Sequence, residues 1–206
     1  MNPYYQFLLP RLLDWSMSDE PFSHYRSDLL SQVTGDTLEI GFGTGLNLSY
    51  YPADLKALTA INANPGMNAL AERRIRASEI VVDHQVLNGE SLPIADNRFD
   101  SVVSTWTLCS IAKVEQALQE VHRVLKPGGR FFFVEHGLSR DRKTQVWQHR
   151  LTPIQKAIAD GCHFDRDIRQ LVENQFSQAT IDEFQPKDLP AVLGCFYQGI
   201  AIKARD

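Results

Sequence analysis

The residues with the clearest chemical potential lie in one short run, LEIGFGTGLNL, from Leu38 to Leu48. A short apolar segment meets three alternating glycines, then a polar–apolar stretch that could open a helix. Such a turn exposes backbone N–H groups and can cradle a ligand. A phosphate loop of the GxxxxGK[ST] type needs a lysine, and none follows Gly45. A nicotinamide-binding turn needs GxGxxG, but Leu46 stands where its third glycine belongs. Glu39, two residues before Gly41, would repel a pyrophosphate and favour positive charge. A helix start after Gly45 would favour a carboxylate by about 0.3–1 kcal/mol. A zwitterionic amino acid carrying a positive sulfur meets both demands, and S-adenosylmethionine is that molecule.

The elements that must position this loop follow from periodicity. Short β-rich runs at Thr37–Ile40, Ala57–Ile61, Ile80–Val86, Asp100–Thr105 and Arg130–Glu135 predict five strands. Near-continuous apolar character suggests burial on both faces. A helix is predicted from Pro65 to about Ala77. Another carries Ile111, Val114, Leu118, Val121 and Leu125 on one stripe and stops at LKPGG. Beyond Glu135, a helix with Trp147, Leu151, Ile154 and Ile158 on one face is expected, then a second to about Phe176. Two last strands are expected at Ala179–Phe184 and Phe196–Ala204. The alternation points to a doubly wound α/β sheet with right-handed crossovers.

Composition narrows the partners. The chain has 206 residues, 43% hydrophobic, with a net charge of -4. That suits one domain, burying roughly 70% of its unfolded surface. Acid and base are interspersed without a basic stripe, so no nucleic acid is expected. Cys109, Cys162 and Cys195 lie far apart in sequence, without CxxC or metal spacing to a histidine. They read as free thiols in a reducing cytoplasm, with no metal site. No apolar run reaches the ~20 residues of a membrane span. The aromatic N-terminal run YYQFLLPRLLDW reads as a lid, or as a weak membrane-surface contact.

The ExGxGxG pattern resembles motif I of the class I S-adenosylmethionine-dependent methyltransferases. NGESLPIADNRFD, Asn88–Asp100, is similar to that family's adenine-pocket segment, and LKPGGRFFFVEH, Leu125–His136, to its LKPGGxxxxxE motif. TLCSI, the EH pair and DGCHFDRD resemble a subgroup that includes the animal thiol S-methyltransferases. The resemblance implies a Rossmann-like seven-stranded sheet, mostly parallel with an antiparallel last strand. It implies one domain: an N-terminal helical lid (1–36), a cofactor core (37–136), a helical substrate-side insertion (137–178) and C-terminal strands (179–206).

It also implies site residues. Glu39, Gly41, Phe42, Gly43 and Gly45 would form the cofactor loop. Asn62, with Ala63, stands where the family has an acidic ribose contact, and an amide there implies weaker but retained binding. Asn64 or a shifted register is the alternative, and lost binding is a third reading. Asn88, Gly89 and Glu90 would frame the adenine, and Thr105 the methionine part. Trp106 packs on substrate or on a helix, and Cys109 reads as a packed residue. His136 and Asp160 are the catalytic candidates, with Cys162 and Arg166 nearby; a solvated ion pair is the simpler role for Arg166. The implied reaction is methyl transfer to a small molecule, with a thiol favoured and S-adenosylhomocysteine as product. Alternatives are a lipid or quinone acceptor, or a catalytically weak cofactor-binding protein. Monomer and homodimer both stay open.

Overall fold

The computed structural model describes residues 3–186, 189–193 and 195–205. Met1 and Asn2 of the expected lid, with 187, 188, 194 and 206 of the expected C-terminal part, lie outside the described residues. A π-helical turn at Tyr4–Leu8 runs into α1 (Leu9–Ser18), followed by α2 (Phe22–Leu30). The core then alternates β1 (Thr37–Ile40), β2 (Ala57–Ile61), α3 (Asn68–Ala77), β3 (Val81–Gln85), β4 (Phe99–Thr105), α4 (Val114–Val124) and β5 (Leu125–His136). It finishes with α5 (Arg142–Ile158), α6 (Ile168–Gln175), β6 (Gln178–Phe184) and β7 (Phe196–Ile202).

The strands form one seven-stranded sheet in the order β3-β2-β1-β4-β5-β7-β6. β7 runs antiparallel to both β5 and β6, and the pairs from β3 to β5 are parallel. Chain order reverses between β1 and β4, the point in such sheets where ligands bind beyond the strand ends. This is the Rossmann-like fold implied by the sequence, antiparallel last strand included.

β5 shows why the sequence demands cover on both faces. In RFFFVE, Phe131 and Phe133 pack with Leu118, Val121 and Phe176 on one side. Phe132 and Val134 pack with Leu29, Leu30 and Val103 on the other. Alternate side chains point to opposite faces, so four consecutive apolar residues need two helical layers. Burying each phenylalanine contributes roughly 1.5–3 kcal/mol.

Several details differ from expectation. The helix anticipated after Gly45 is a single 3-10 turn, Leu46–Ser49. Pro52 disfavours helical backbone at Tyr51, and the Asn47 side chain is drawn inward instead. The helix stopped by LKPGG ends at Val124, and Leu125 already pairs with Phe99 as the start of β5. The expected apolar face of α5 is exposed at Trp147, Ile154 and Ile158. Its buried positions are Gln148 and Thr152. Gln148 explains the inversion: its amide accepts from Ser139 N and donates to Gly137 O, satisfying a loop that would otherwise bury unpaired backbone.

Candidate active site

A cavity of about 1170 Å3 opens at the carboxyl ends of β1, β2, β4 and β5. Its floor is the glycine loop. Gly41, Gly43 and Gly45 have φ of +78°, +56° and +82°, a region costly for other residues. A Cβ on Gly41 would sit 2.0 Å from Thr107 Oγ1, so that position is closed by packing. A Cβ on Gly43 would meet only the Gly41 carbonyl, at 3.7 Å. The floor there is bare backbone that a side chain would fill.

Glu39 does not line this cavity. It is 1% exposed and lies behind the wall. Its carboxylate accepts from Asn47 Nδ2 at 2.9 Å and Tyr51 OH at 2.7 Å. Asn47 does line the cavity, donates also to Thr105 Oγ1 at 3.0 Å, and accepts from Arg26 Nε at 3.0 Å. Arg26 is buried, lies 4.7 Å from the centre of the Trp106 ring and donates to Met17 O. Burial pushes the Glu39 carboxyl up to about 7, against the pull of Tyr51, Asn47 and Arg26. Burial likewise lowers Arg26, to about 10, still protonated at neutral pH. The carboxyl that the sequence aims at a ligand therefore meets Asn47 and Tyr51 instead, and of these three only Asn47 reaches the cavity.

The remaining residues expected at the donor end face a single cavity. Asn62, Ala63, Asn88, Gly89, Glu90 and Thr105 all line the cavity. Asn62 is partly committed to its own turn: Nδ2 donates to Asn64 O at 2.7 Å, and Oδ1 accepts from Asn64 N at 3.4 Å. Asn64 caps the next turn through Gly66 N and donates to Asp160 Oδ2 at 3.2 Å. Asn88 Oδ1 accepts from Glu90 N, and Glu90 accepts from Lys113 N. The N-terminal segment sits over the loop. Asp14 accepts from Thr44 Oγ1 at 2.6 Å and Arg74 Nη1 at 2.7 Å. A backbone floor, an amide at the end of β2 and a polar loop after β3 fit S-adenosylmethionine, and the volume leaves room for an acceptor beside it.

The other end of the cavity has a different character. Phe22, Trp106, Phe164 and Phe196 line it. Trp106 and Phe196 both meet Phe22 edge-on. His136 stacks on Phe196 with 4.9 Å between ring centres. Trp106 and Asp160 have φ of +48° and +49°, sparsely populated for such residues, and both face the cavity. Cys162 Sγ lies 3.5 Å from Cys109 Sγ and 3.5 Å from His136 Nδ1. His136 Nε2 reaches the Leu193 carbonyl. Burial opposes charge on His136, but Cys162, Leu193 O and Glu135 outweigh it and raise its pKa. Cys162 is held down, to about 5, by Cys109 and His136 against burial, and Cys109 is pushed up by Cys162 and by burial. Cys162 is thus the thiol of the pair that ionises first.

Glu135 organises this end from beneath. It is fully buried and accepts from Ser104 Oγ, Thr107 N, Leu108 N and Cys109 N at 2.8–3.3 Å. Burial raises its pKa despite these donors. Among the described residues Arg166 does not form the simple solvated pair expected of it: it donates to the Leu108 carbonyl and so holds the same turn. Cys109 is packed, as read from sequence, but against a second cysteine. Sequence reasoning missed Asn47, Arg26, Tyr51 and Glu135 as parts of the site. Asn47 stood within the glycine-loop run itself; Arg26 had no local signal.

Residues 38–133 match the family described as "Methyltransferase domain". The chain is 40% identical to thiol S-methyltransferase TMT1B of Rattus norvegicus, over 81% of this chain and 70% of that protein. It is 34% identical to TMT1B of Homo sapiens, over 97% of this chain and 86% of that one. Among solved structures it resembles phosphoethanolamine N-methyltransferase 2 of Haemonchus contortus in complex with S-adenosyl-L-methionine. The TM-score is 0.73 at 14% identity, covering 95% of this chain and 56% of that one, a likeness of fold. The chain belongs to the S-adenosylmethionine-dependent methyltransferases, in the family that contains the thiol S-methyltransferases.

Proposed function

We propose that this methyltransferase transfers its methyl group to the sulfur of a small, apolar thiol. The observation that carries the reading is the split character of the cavity. A polar backbone cradle faces an aromatic chamber that ends in sulfur and imidazole groups. The similarity to thiol S-methyltransferases over nearly the whole chain supports it. An apolar chamber selects an apolar acceptor and strips water from its sulfur.

S-adenosylmethionine supplies a methyl already activated on a sulfonium, so the chain's own task is to bind, orient and exclude water. Alignment alone can contribute roughly 7–11 kcal/mol. In this reading Gly41–Gly45 and Thr105 seat the methionine part, and Asn62 with Ala63 takes the ribose. Asn88, Gly89 and Glu90 frame the adenine. Glu39 biases the methionine end through Asn47. A thiol is a few per cent thiolate at neutral pH, so it needs only modest help. His136 favours the thiolate form, and Asp160 positions the turn that carries Cys162. The N-terminal segment acts as the lid, residues 37–136 as cofactor core and 137–178 as the acceptor-side insertion. Three unpaired cysteines fit a reducing cytoplasm. Among the described residues, no helix is long and apolar enough to cross a membrane.

Labelled-methyl transfer to matched panels of alkyl thiols, phenols, amines and quinols tests the reading. Turnover is expected on thiols, rising with their apolar character. Turnover on quinols or phenols with none on thiols would overturn it.

A further inference from the structure

Three soft ligand atoms converge at the acceptor end of the cavity. Cys109 comes from the turn after β4, His136 from the last position of β5, and Cys162 from the turn after α5. Their sulfur and Nδ1 atoms all lie within 4.8 Å of one another, with two of the three separations at 3.5 Å. A tetrahedral zinc ion, with Zn–S of about 2.3 Å and Zn–N of about 2.1 Å, spaces its ligands about 3.6–3.8 Å apart. Two edges of that face are therefore already formed, and the third spans no more than 4.8 Å. We propose that Cys109, Cys162 and His136 form a zinc site whose fourth position opens into the acceptor chamber.

The surrounding shell is built for ligation. The His136 ring places Nε2 at the Leu193 carbonyl, which fixes its N–H there and leaves the Nδ1 lone pair facing Cys162. Metal-bound histidines are commonly oriented this way, by a carbonyl or carboxylate on the other nitrogen. Cys109 is held through its backbone N–H on the buried Glu135, and the same turn is tied by Arg166 to its Leu108 carbonyl. Cys162 follows Gly161, whose left-handed φ of +84° turns the chain back toward the sheet. Both cysteines are buried, while all three residues reach the cavity wall. Three protein ligands with one open position is the layout of a catalytic zinc, and a two-cysteine, one-histidine set is among its known compositions. Thiolate-rich sets also favour zinc over magnesium or calcium.

The consequence rests on the thiol reading above. An acceptor thiol would replace water at the fourth position, forming a Zn–S bond and releasing its proton to solvent. Its sulfur pair then forms the new S–CH3 bond, while the old C–S bond breaks and its electrons return to the donor sulfur. The product thioether is neutral and a weaker ligand, so it leaves.

The test uses the full chain, stripped with chelator and titrated with Zn2+ and Co2+. Expected are one zinc per chain by elemental analysis and tetrahedral cobalt absorption with sulfur-to-cobalt charge-transfer bands. Cys109→Ser and Cys162→Ser should each weaken zinc at least tenfold, with Cys195→Ser unchanged. S-adenosylhomocysteine binding and the melting curve check that each variant folds. Less than a tenth of an equivalent in wild type at micromolar free zinc would overturn the site, as would equal uptake by the Cys109→Ser/Cys162→Ser double variant. Zinc binding without turnover on any thiol would overturn the function reading and leave the site standing. Full thiol turnover by metal-free protein would overturn the fourth-ligand step.

Discussion

The two ends of the cavity are built on different plans. The donor end takes its floor from one continuous run, Ile40 to Asn47. The acceptor end takes Cys109 and Cys162 from 53 positions apart, and joins them to His136, 26 positions from Cys162. The first is rigid because its backbone is special; the second is rigid because a buried carboxylate, Glu135, gathers a turn beneath it. A local cradle can be damaged without touching the chamber, and the chamber without touching the cradle.

The largest effect should come from filling the cradle. Gly43→Asn keeps a residue that tolerates left-handed backbone, and its side chain occupies open floor. S-adenosylhomocysteine affinity measured by calorimetry should fall at least about a hundredfold, or ~2.8 kcal/mol. The unliganded melting temperature should move little. Gly41→Ala should invert this pattern, because its Cβ collides with Thr107 and the fold itself gives way. Unchanged affinity in Gly43→Asn would break the assignment of the cradle.

The chamber should respond in the opposite sense. His136→Ala removes the imidazole but leaves the glycine loop intact. We expect kcat/KM on a thiol to drop about 10–50-fold, below the usual span for a lost acid–base group, because thiols need little activation. Cofactor affinity should stay within about threefold. If cofactor binding fell as far as turnover, the two ends would not be separable.

This contrast also explains what the sequence could tell. Glycine spacing and a nearby carboxylate are local, so the donor loop and its ligand could be read directly from Leu38–Leu48. The strands followed from alternation, and the seven-stranded sheet with its antiparallel last strand from the family resemblance. The Cys109–Cys162–His136 cluster could not be read, because it exists only once β4, β5 and the end of α5 meet. Glu39 shows the same limit within a legible motif. Its type was informative, but its direction depended on Asn47 and Tyr51 bonding it from inside. α5 was misread because a polar residue, Gln148, takes the buried side to satisfy a loop, which no apolar count can register.

Glu39 provides a smaller, pH-dependent effect. Its folded pKa of about 7 exceeds its unfolded value of 4.5, so the native state holds the extra proton between those values. Its contribution is full below pH 4.5 and is lost as pH rises toward 7. The carboxylates held low, Asp100, Glu120, Asp141 and Asp165, act in the other direction and at lower pH, and buried Glu135, held high, acts in the same direction as Glu39. Comparing Glu39→Gln with wild type by urea denaturation isolates the one group. The variant should gain about 1–3 kcal/mol relative to wild type as pH goes from 4.5 to 7.5. A difference that is flat or of opposite sign would show that Arg26 and Tyr51 hold Glu39 ionised throughout.

The smallest expected effect bears on the weakest link of the donor end. Asn62→Asp would place a charged acceptor at the end of β2, and charge-assisted hydrogen bonds are roughly twice as strong as neutral ones. It would also remove the Nδ2 donor that binds Asn64 O and set a carboxylate against that carbonyl. The Asn64 side chain, which caps Gly66 and reaches Asp160, would be disturbed with it. The gain at the ribose and the loss in the turn oppose each other. S-adenosylmethionine should therefore bind only about 2–5-fold more tightly, well under the tenfold that 1.4 kcal/mol gives. Asn62→Ala should weaken it by more than Asn62→Asp strengthens it, since it loses both the ribose contact and the turn. If Asn62→Asp weakens binding, then Asn62 serves the turn rather than the ribose, and the donor end depends on Asn64 or backbone for that contact.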